Sequence, residues 1–186
     1  MLYFSLRGDD NMKKTLLGIV TTLGLLCSPI ANIKAQDASE AQKVLDEVTK
    51  LFQKEFSDGE IHQVDVDYEK DSTYTVSIDA YVGDKSYEID YRSQDGKLEE
   101  IDREEETTDQ KDEEVLDFEK LISLEEANEL ALAEVDLTAP TSWTLDSEDD
   151  GAIEWEIEFD EEENQNKEAS VTIDAASSDI LEVEQD

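Results

Sequence analysis

The stretch ISLEEA at residues 122–127 decides how the second half of this chain folds. Its Ser-x-x-Glu spacing is a capping box, in which the Ser123 hydroxyl and the Glu126 carboxylate satisfy free amides at the start of a helix. Apolar residues then recur at helical spacing as far as Val135. The sequence therefore predicts an amphipathic helix that begins at Ser123.

Alternating apolar residues after this helix predict strands, and the first half of the chain shows the same order. In the second half the strands are predicted at 143–145, 153–159, 169–173 and 180–183. In the first half a helix is predicted over 39–56, with Ser39 as its N-cap, followed by strands at 61–68, 74–80, 87–91 and a short one at 98–101. In each unit every strand has one apolar face, and a helix can cover the sheet surface that these faces form.

The repeated order predicts an α+β fold made of two small modules, each a helix packed on a three- to four-stranded antiparallel β-sheet. The first module is placed at 36–103 and the second at 118–186. Residues 104–117 are rich in Glu, Asp, Thr and Lys, and they are interpreted as an acidic linker. Both modules are near the lower size limit for independent folding, so we expect them to support each other.

Three segments of the second half are similar to the PepSY domain, an extracellular module found singly or in tandem in bacterial proteins and in propeptides of secreted metalloproteases. They are the helix start at 122–133, the strand WEIEF at 155–159 and the segment VTIDA at 171–175 running to Leu181. The first half resembles the family at 87–90 and 95–98, although its helix has bulkier residues. The resemblance implies a tandem arrangement, a helix on an antiparallel sheet, a role in restraining peptidases, and no catalytic residues.

Residues 1–35 are predicted to be an N-terminal extension plus a secretory signal peptide, with translation starting at Met12. Two lysines precede an apolar run that is too short for a permanent membrane span, and Ala35 fits the position before the cut. Cys27 is the chain's one cysteine, and Leu26 before it is a poor residue for lipid attachment. We therefore predict a secreted, extracellular or cell-wall-associated protein, of a Gram-positive kind because it lacks disulfides, in which lipoprotein anchoring is disfavoured.

The formal charge of −37 limits the partners of this chain. Residues 1–35 carry four basic and two acidic groups, so the body after the predicted cleavage carries −39. Nucleic acid and anionic lipid are excluded as partners, since both are bound mainly through Lys and Arg. Cationic partners, calcium ions and basic components of the cell wall remain. A simpler interpretation is that the charge keeps an extracellular protein soluble and dispersed.

The sequence offers no catalytic residues of the usual kind. His62 is the one histidine and is interpreted as a surface residue of a strand. Asp65 and Asp67 alternate along that strand, so both are expected on one face pointing to water. No cofactor is predicted, and the chain is predicted not to be an enzyme.

Weak metal candidates are Asp146, Glu148 and Asp150, which precede Gly151 as in the opening of a calcium-binding EF-hand loop. Ile157 occupies the twelfth position, where such a loop needs a bidentate glutamate. A tight hairpin turn explains the same residues.

These observations predict a non-catalytic tandem PepSY-type binding module that contacts a protein and modulates or inhibits an extracellular peptidase. The alternative is an acidic envelope protein that binds or buffers cations such as calcium.

Overall fold

The structure is a computed structural model that describes residues 38–108, 113–148 and 151–186. This part of the chain contains two helices and eight strands. The elements in chain order are α1 Ala38–Glu55, β1 Glu60–Glu69, β2 Thr73–Val82, β3 Lys85–Gln94, β4 Lys97–Thr107, α2 Leu124–Glu134, β5 Ser142–Ser147, β6 Ile153–Phe159, β7 Ala169–Asp174 and β8 Ile180–Gln185. The predicted helices and strands are therefore present. Ser39 lies inside α1, one residue after its first, and is not its N-cap.

The eight strands form one antiparallel sheet in the order β4-β3-β2-β1-β5-β6-β7-β8. The α+β class is confirmed, but the prediction of two separate modules with three- or four-stranded sheets is wrong. The two halves join where β1 pairs antiparallel with β5, from Gln63 opposite Asp146 to Asp67 opposite Ser142.

The pairing of β1 with β5 has a simple physical cause. In two separate modules each of these strands would be a sheet edge with unpaired backbone N–H and C=O groups. Each half would also be near the lower size limit at which an apolar core can stabilise a domain. Pairing the two edges satisfies the backbone groups and extends one core through both halves.

Both helices cover the same face of the sheet. Helix α1 packs on β1 and β2, α2 packs on β6 and β7, and the helices touch each other. The largest fully buried side chains include Phe52 of α1 and Trp143 and Trp155 of the sheet. The Leu124 backbone N–H donates to Gln42 Oε1 at 2.8 Å, which ties the start of α2 to α1.

The capping box predicted at the start of α2 is confirmed. Ser123 Oγ accepts from the Glu126 backbone N–H at 3.2 Å, and Glu126 Oε2 accepts from the Ser123 backbone N–H at 3.0 Å. The Ser123 backbone N–H and hydroxyl both donate to the Glu126 carboxylate, and they hold the pKa of Glu126 below its usual value.

Ser123→Ala is expected to lower the free energy of unfolding by about 1 kcal/mol, because the first turn of α2 loses its side-chain acceptor. Ser123→Gly is the matched control and should cost only about a few tenths of a kcal/mol, since glycine is tolerated at this position. Urea denaturation of both variants measures the difference. Equal losses in the two variants would contradict the role assigned to the serine.

The segment between the halves differs from the linker placed at 104–117. Strand β4 continues to Thr107, and Leu116 is buried while its backbone N–H donates to the Ile61 carbonyl at 2.8 Å. The predicted signal peptide lies outside the described residues. Within the residues that are described, neither helix is long and apolar enough to cross a membrane.

Candidate functional site

The face of the sheet opposite the helices, called here the outer face, is lined by acidic and hydroxyl side chains. Strand residues alternate between the two faces, so the neighbours of each buried residue point outward. Three cross-strand rows result from the pairing. The first is Glu104, Glu88, Asp79, Gln63, Asp146, Glu154 and Asp174. The second is Asp102, Asp90, Ser77, Asp65, Thr144, Glu156, Thr172 and Glu182. The third is Glu99, Arg92, Thr75, Asp67, Ser142, Glu158, Ser170 and Glu184.

Hydrogen bonds fix several carboxylates of the middle row. Thr144 Oγ1 donates to Asp65 Oδ1 at 2.7 Å, and Gln63 Nε2 donates to Asp65 Oδ2 at 3.0 Å. Ser77 Oγ donates to Asp90 Oδ1 at 2.5 Å. These donors are neutral, so they orient the carboxylates and leave the negative charge of the face in place.

Basic side chains are scarce on the outer face. Among the described strand residues that point outward, Arg92 and Lys97 are the basic ones, and both lie toward the β3–β4 edge. Arg92 pairs with Glu69 at 3.0 Å. Arg103 lies on the helix side, where it pairs with Glu55 at 2.7 Å. The outer face therefore carries a large excess of negative charge.

His62 lies at one corner of this face. The pairing register shifts between Ile61 and Gln63, which makes His62 the extra residue of a β-bulge. Its ring stacks on Tyr81 with 4.5 Å between the centroids, and Tyr81 Oη donates to Glu113. Burial lowers the pKa of His62, while the charges of Glu113 and Asp146 oppose that shift. The histidine is thus a half-buried bulge residue, whereas the sequence predicted a surface strand residue.

Negative charge is costly at this corner. The pKa of Asp79 is raised to about 6, first because its carboxyl is half-buried and then because Glu88, Asp65, Asp146 and Asp90 are close. A cation close to Asp79 would therefore stabilise the charged form of its carboxyl group.

The structure separates the three predicted metal candidates. Asp146 lies on the outer face and accepts the Ser147 backbone N–H at 2.6 Å, which orients one of its oxygens. Glu148 lies in the turn after β5, where its backbone N–H donates to the Ala152 carbonyl, as a hairpin turn requires. Asp150 lies outside the described residues. Among the residues that are described, no group of three or more His, Cys, Asp or Glu side chains is arranged to hold a metal ion.

The sequence correctly places Asp65 and Asp67 on one strand face turned away from the core, but it does not show that Asp79, Tyr81 and Glu88 come together beside His62 on that face. The order of the strands brings these residues together, and that order depends on backbone pairing. The sequence does contain one signal of the bulge at His62. The apolar, buried positions of β1 step by three residues from Ile61 to Val64, which interrupts the alternation.

A solved structure with the same fold is that of a "putative lipoprotein" from Clostridium difficile 630. It has a TM-score of 0.61 and 17% sequence identity, over 76% of this chain and 92% of that chain. At this identity the likeness shows the fold alone. The neighbour's description nevertheless contradicts the prediction that lipoprotein anchoring is disfavoured, which rested only on Leu26 before Cys27.

The family comparison bears on the second half of the chain. Residues 121–184 match the family described as peptidase propeptide and YPEB domain, or PepSY. No curated protein matches the sequence. The matched segment begins two residues before the capping box at Ser123 and runs through α2 into β8, and it includes the three segments in which the resemblance was seen. A PepSY domain, a kind of module that is generally non-catalytic and consistent with an extracellular location, is therefore found at residues 121–184 of this chain.

Proposed function

We propose that this protein is a non-catalytic extracellular binding module that holds a secreted peptidase through its outer face and restrains its activity. The observation that carries the proposal is the outer face itself, a surface of neutral donors and carboxylates that spans all eight strands. The PepSY domain at 121–184 supports a peptidase as the partner, because domains of this family interact with peptidases.

The charge of the outer face determines what kind of surface it can bind. Complementary potentials steer two proteins together and suppress binding of partners with like charge. A sheet face with carboxylates in every row therefore favours a partner surface rich in Lys and Arg. A second copy of this chain, with a net charge of −37, is disfavoured as the partner.

The geometry also favours a binding role over turnover. The side chains of the outer face point from a rigid sheet, and hydrogen bonds such as that from Thr144 to Asp65 fix their directions. Preorganised groups lose little entropy on binding. In our proposal the first half, residues 36–103, is a second PepSY-type module, so the partner contacts both halves of one continuous surface.

Peptidase restraint is tested with the purified full chain and the secreted peptidases of the producing organism. We expect a saturable fall in the rate of substrate hydrolysis as the protein concentration rises, and a weaker effect at high salt. Poly-glutamate of matched total charge is the control for general effects of a polyanion, including removal of calcium from the peptidase. A peptidase rate that stays constant over a wide protein concentration range, or that falls equally with poly-glutamate, would contradict the proposal.

Cation binding is the second candidate function, and the position of Asp146 favours it. Asp146 lies beside Gln63 and Glu154 in the first row of the outer face, and desolvation raises its pKa, with added negative charge from Asp65 and Glu113. Weak calcium binding at such a surface would lower this repulsion. Addition of calcium to the full chain should then raise the melting temperature and shift amide resonances of β5 and β6. Unchanged values at millimolar calcium would remove this candidate.

A further inference from the structure

A pocket of about 330 Å³ opens on the outer face where β1, β2, β3 and β4 meet at one corner. Its lining combines carboxylates with the rings of His62, Tyr81 and Tyr87. Its lining includes His62, Asp79, Tyr81, Glu88, Glu104 and Glu106.

The acidic residues of the pocket bring like charges together. Asp79 lies directly opposite Glu88 in the β2–β3 pair, and Glu88 lies directly opposite Glu104 in the β3–β4 pair. Side chains opposite each other on one sheet face are about 5 Å apart, and like charges there destabilise the sheet. Burial is the main cause of the raised pKa of Asp79, and repulsion by Glu88 adds to it. A bound cation would relieve this repulsion.

The aromatic residues of the pocket favour an organic cation over a metal ion. The rings of His62 and Tyr81 stack on each other with 4.5 Å between their centroids and both line the pocket, and Nδ1 of His62 is buried without a hydrogen-bond partner among the described atoms. A guanidinium group is planar, stacks on aromatic faces and donates in a fork to carboxylates. The described side chains do not form a metal-binding group at this place.

We propose that this pocket receives an arginine side chain of the protein partner, with the guanidinium against the His62 ring and donating to Glu88 and Glu104. The inference rests on the proposed function, since the arginine belongs to the protein that the outer face binds. It adds an anchor point to that surface and predicts an exposed arginine on the partner.

The test uses His62. It is the one histidine of the chain, so it gives a single set of imidazole signals in proton NMR. The full chain is titrated at low salt with acetyl-Gly-Arg-Gly-amide, and the control peptide carries citrulline, which has the shape of arginine without its charge. We expect a saturable shift of the His62 signals with the arginine peptide and none with the citrulline peptide. Free arginine is titrated separately.

Two variants with equal charge changes locate the site. Glu88→Gln/Glu104→Gln removes two carboxylates of the pocket, and Glu47→Gln/Glu129→Gln removes two from the exposed surfaces of the helices. All four side chains are exposed, so both variants should fold. The arginine peptide should bind about tenfold more weakly to the pocket variant, as expected for two charge interactions of about 0.7 kcal/mol each. The helix variant should bind it within twofold of the unchanged protein.

Several outcomes would overturn the inference. Equal weakening in the two variants would mean diffuse attraction to the acidic protein as a whole, and an equal shift with citrulline would mean that charge is not recognised. Free arginine binding more tightly than the peptide would identify a small-molecule ligand instead of a protein side chain. The titration contains no peptidase, so a negative titration does not contradict peptidase restraint. A negative peptidase assay likewise does not decide whether the pocket binds arginine.

Discussion

Trp143→Ala is expected to lower the free energy of unfolding by about 3–5 kcal/mol and to destabilise both halves of the protein together. Trp143 lies on β5 with none of its surface exposed, directly opposite Val66 of β1 at the junction of the two halves. Its Nε1 donates to Asn128 Oδ1 of α2 at 3.0 Å. Removal of the ring leaves a cavity that both halves line.

Urea denaturation measures this effect with two probes. Far-UV circular dichroism follows the strands of both halves, and in this variant fluorescence reports on Trp155 of β6 alone, since the chain has two tryptophans. We expect both signals to change in one shared transition, shifted to lower urea. Trp143→Phe is the matched control, which keeps most of the ring but leaves Asn128 without its donor, at a cost of about 1–3 kcal/mol. Two separate transitions would contradict a shared core.

Asp79→Asn is expected to stabilise the protein at pH 7 by about 1 kcal/mol and to lose this advantage by pH 4. The pKa of Asp79 is about 6 in the folded protein, above its ordinary value of 3.8. The folded state therefore binds more protons than the unfolded state between these values, and stability falls as the pH rises through them. The full shift corresponds to about 3 kcal/mol, which solvent screening of a half-buried group reduces to about 1 kcal/mol.

Comparison of the urea midpoints of the variant and the unchanged protein at pH 4 and pH 7 isolates this carboxyl, because the opposing effect of His62 is common to both proteins. Glu47→Gln, an exposed change of the same charge on α1, is the control. Its effect should vary little between the two pH values. An Asp79→Asn difference that is the same at pH 4 and pH 7 would contradict the repulsion assigned to the corner of the outer face.

The elements could be predicted from the sequence because their signals are local. The spacing from Ala127 to Val135 and the alternation of residues 153–159 each report one buried face, and the capping box at Ser123 marks a helix start within one residue. The structure adds what is not local. Strands β1 and β5 pair through backbone groups, which leave no pattern in the side chains, so one sheet could not be told from two.

Because local patterns do not report which strands pair, only part of the candidate site could be predicted from the sequence. Alternation alone placed Asp65 and Asp67 on the outward face. The neighbours Asp79 and Glu88 come from other strands, and their position beside His62 depends on the strand order and on a one-residue bulge. A sequence in which about every third residue is charged gives no reason to single out these carboxylates.

The central claim is that the partner binds the outer face. The most direct test is the affinity of the restrained peptidase for two triple variants. Glu156→Gln/Glu158→Gln/Glu184→Gln changes the outer face, and Glu47→Gln/Glu129→Gln/Glu134→Gln changes the exposed surfaces of the two helices by the same charge. We predict a dissociation constant about tenfold higher for the outer-face variant, as three charge interactions of about 0.5 kcal/mol imply, and one changed less than twofold for the helix variant. Equal effects of the two variants, or a larger effect of the helix variant, would contradict the claim.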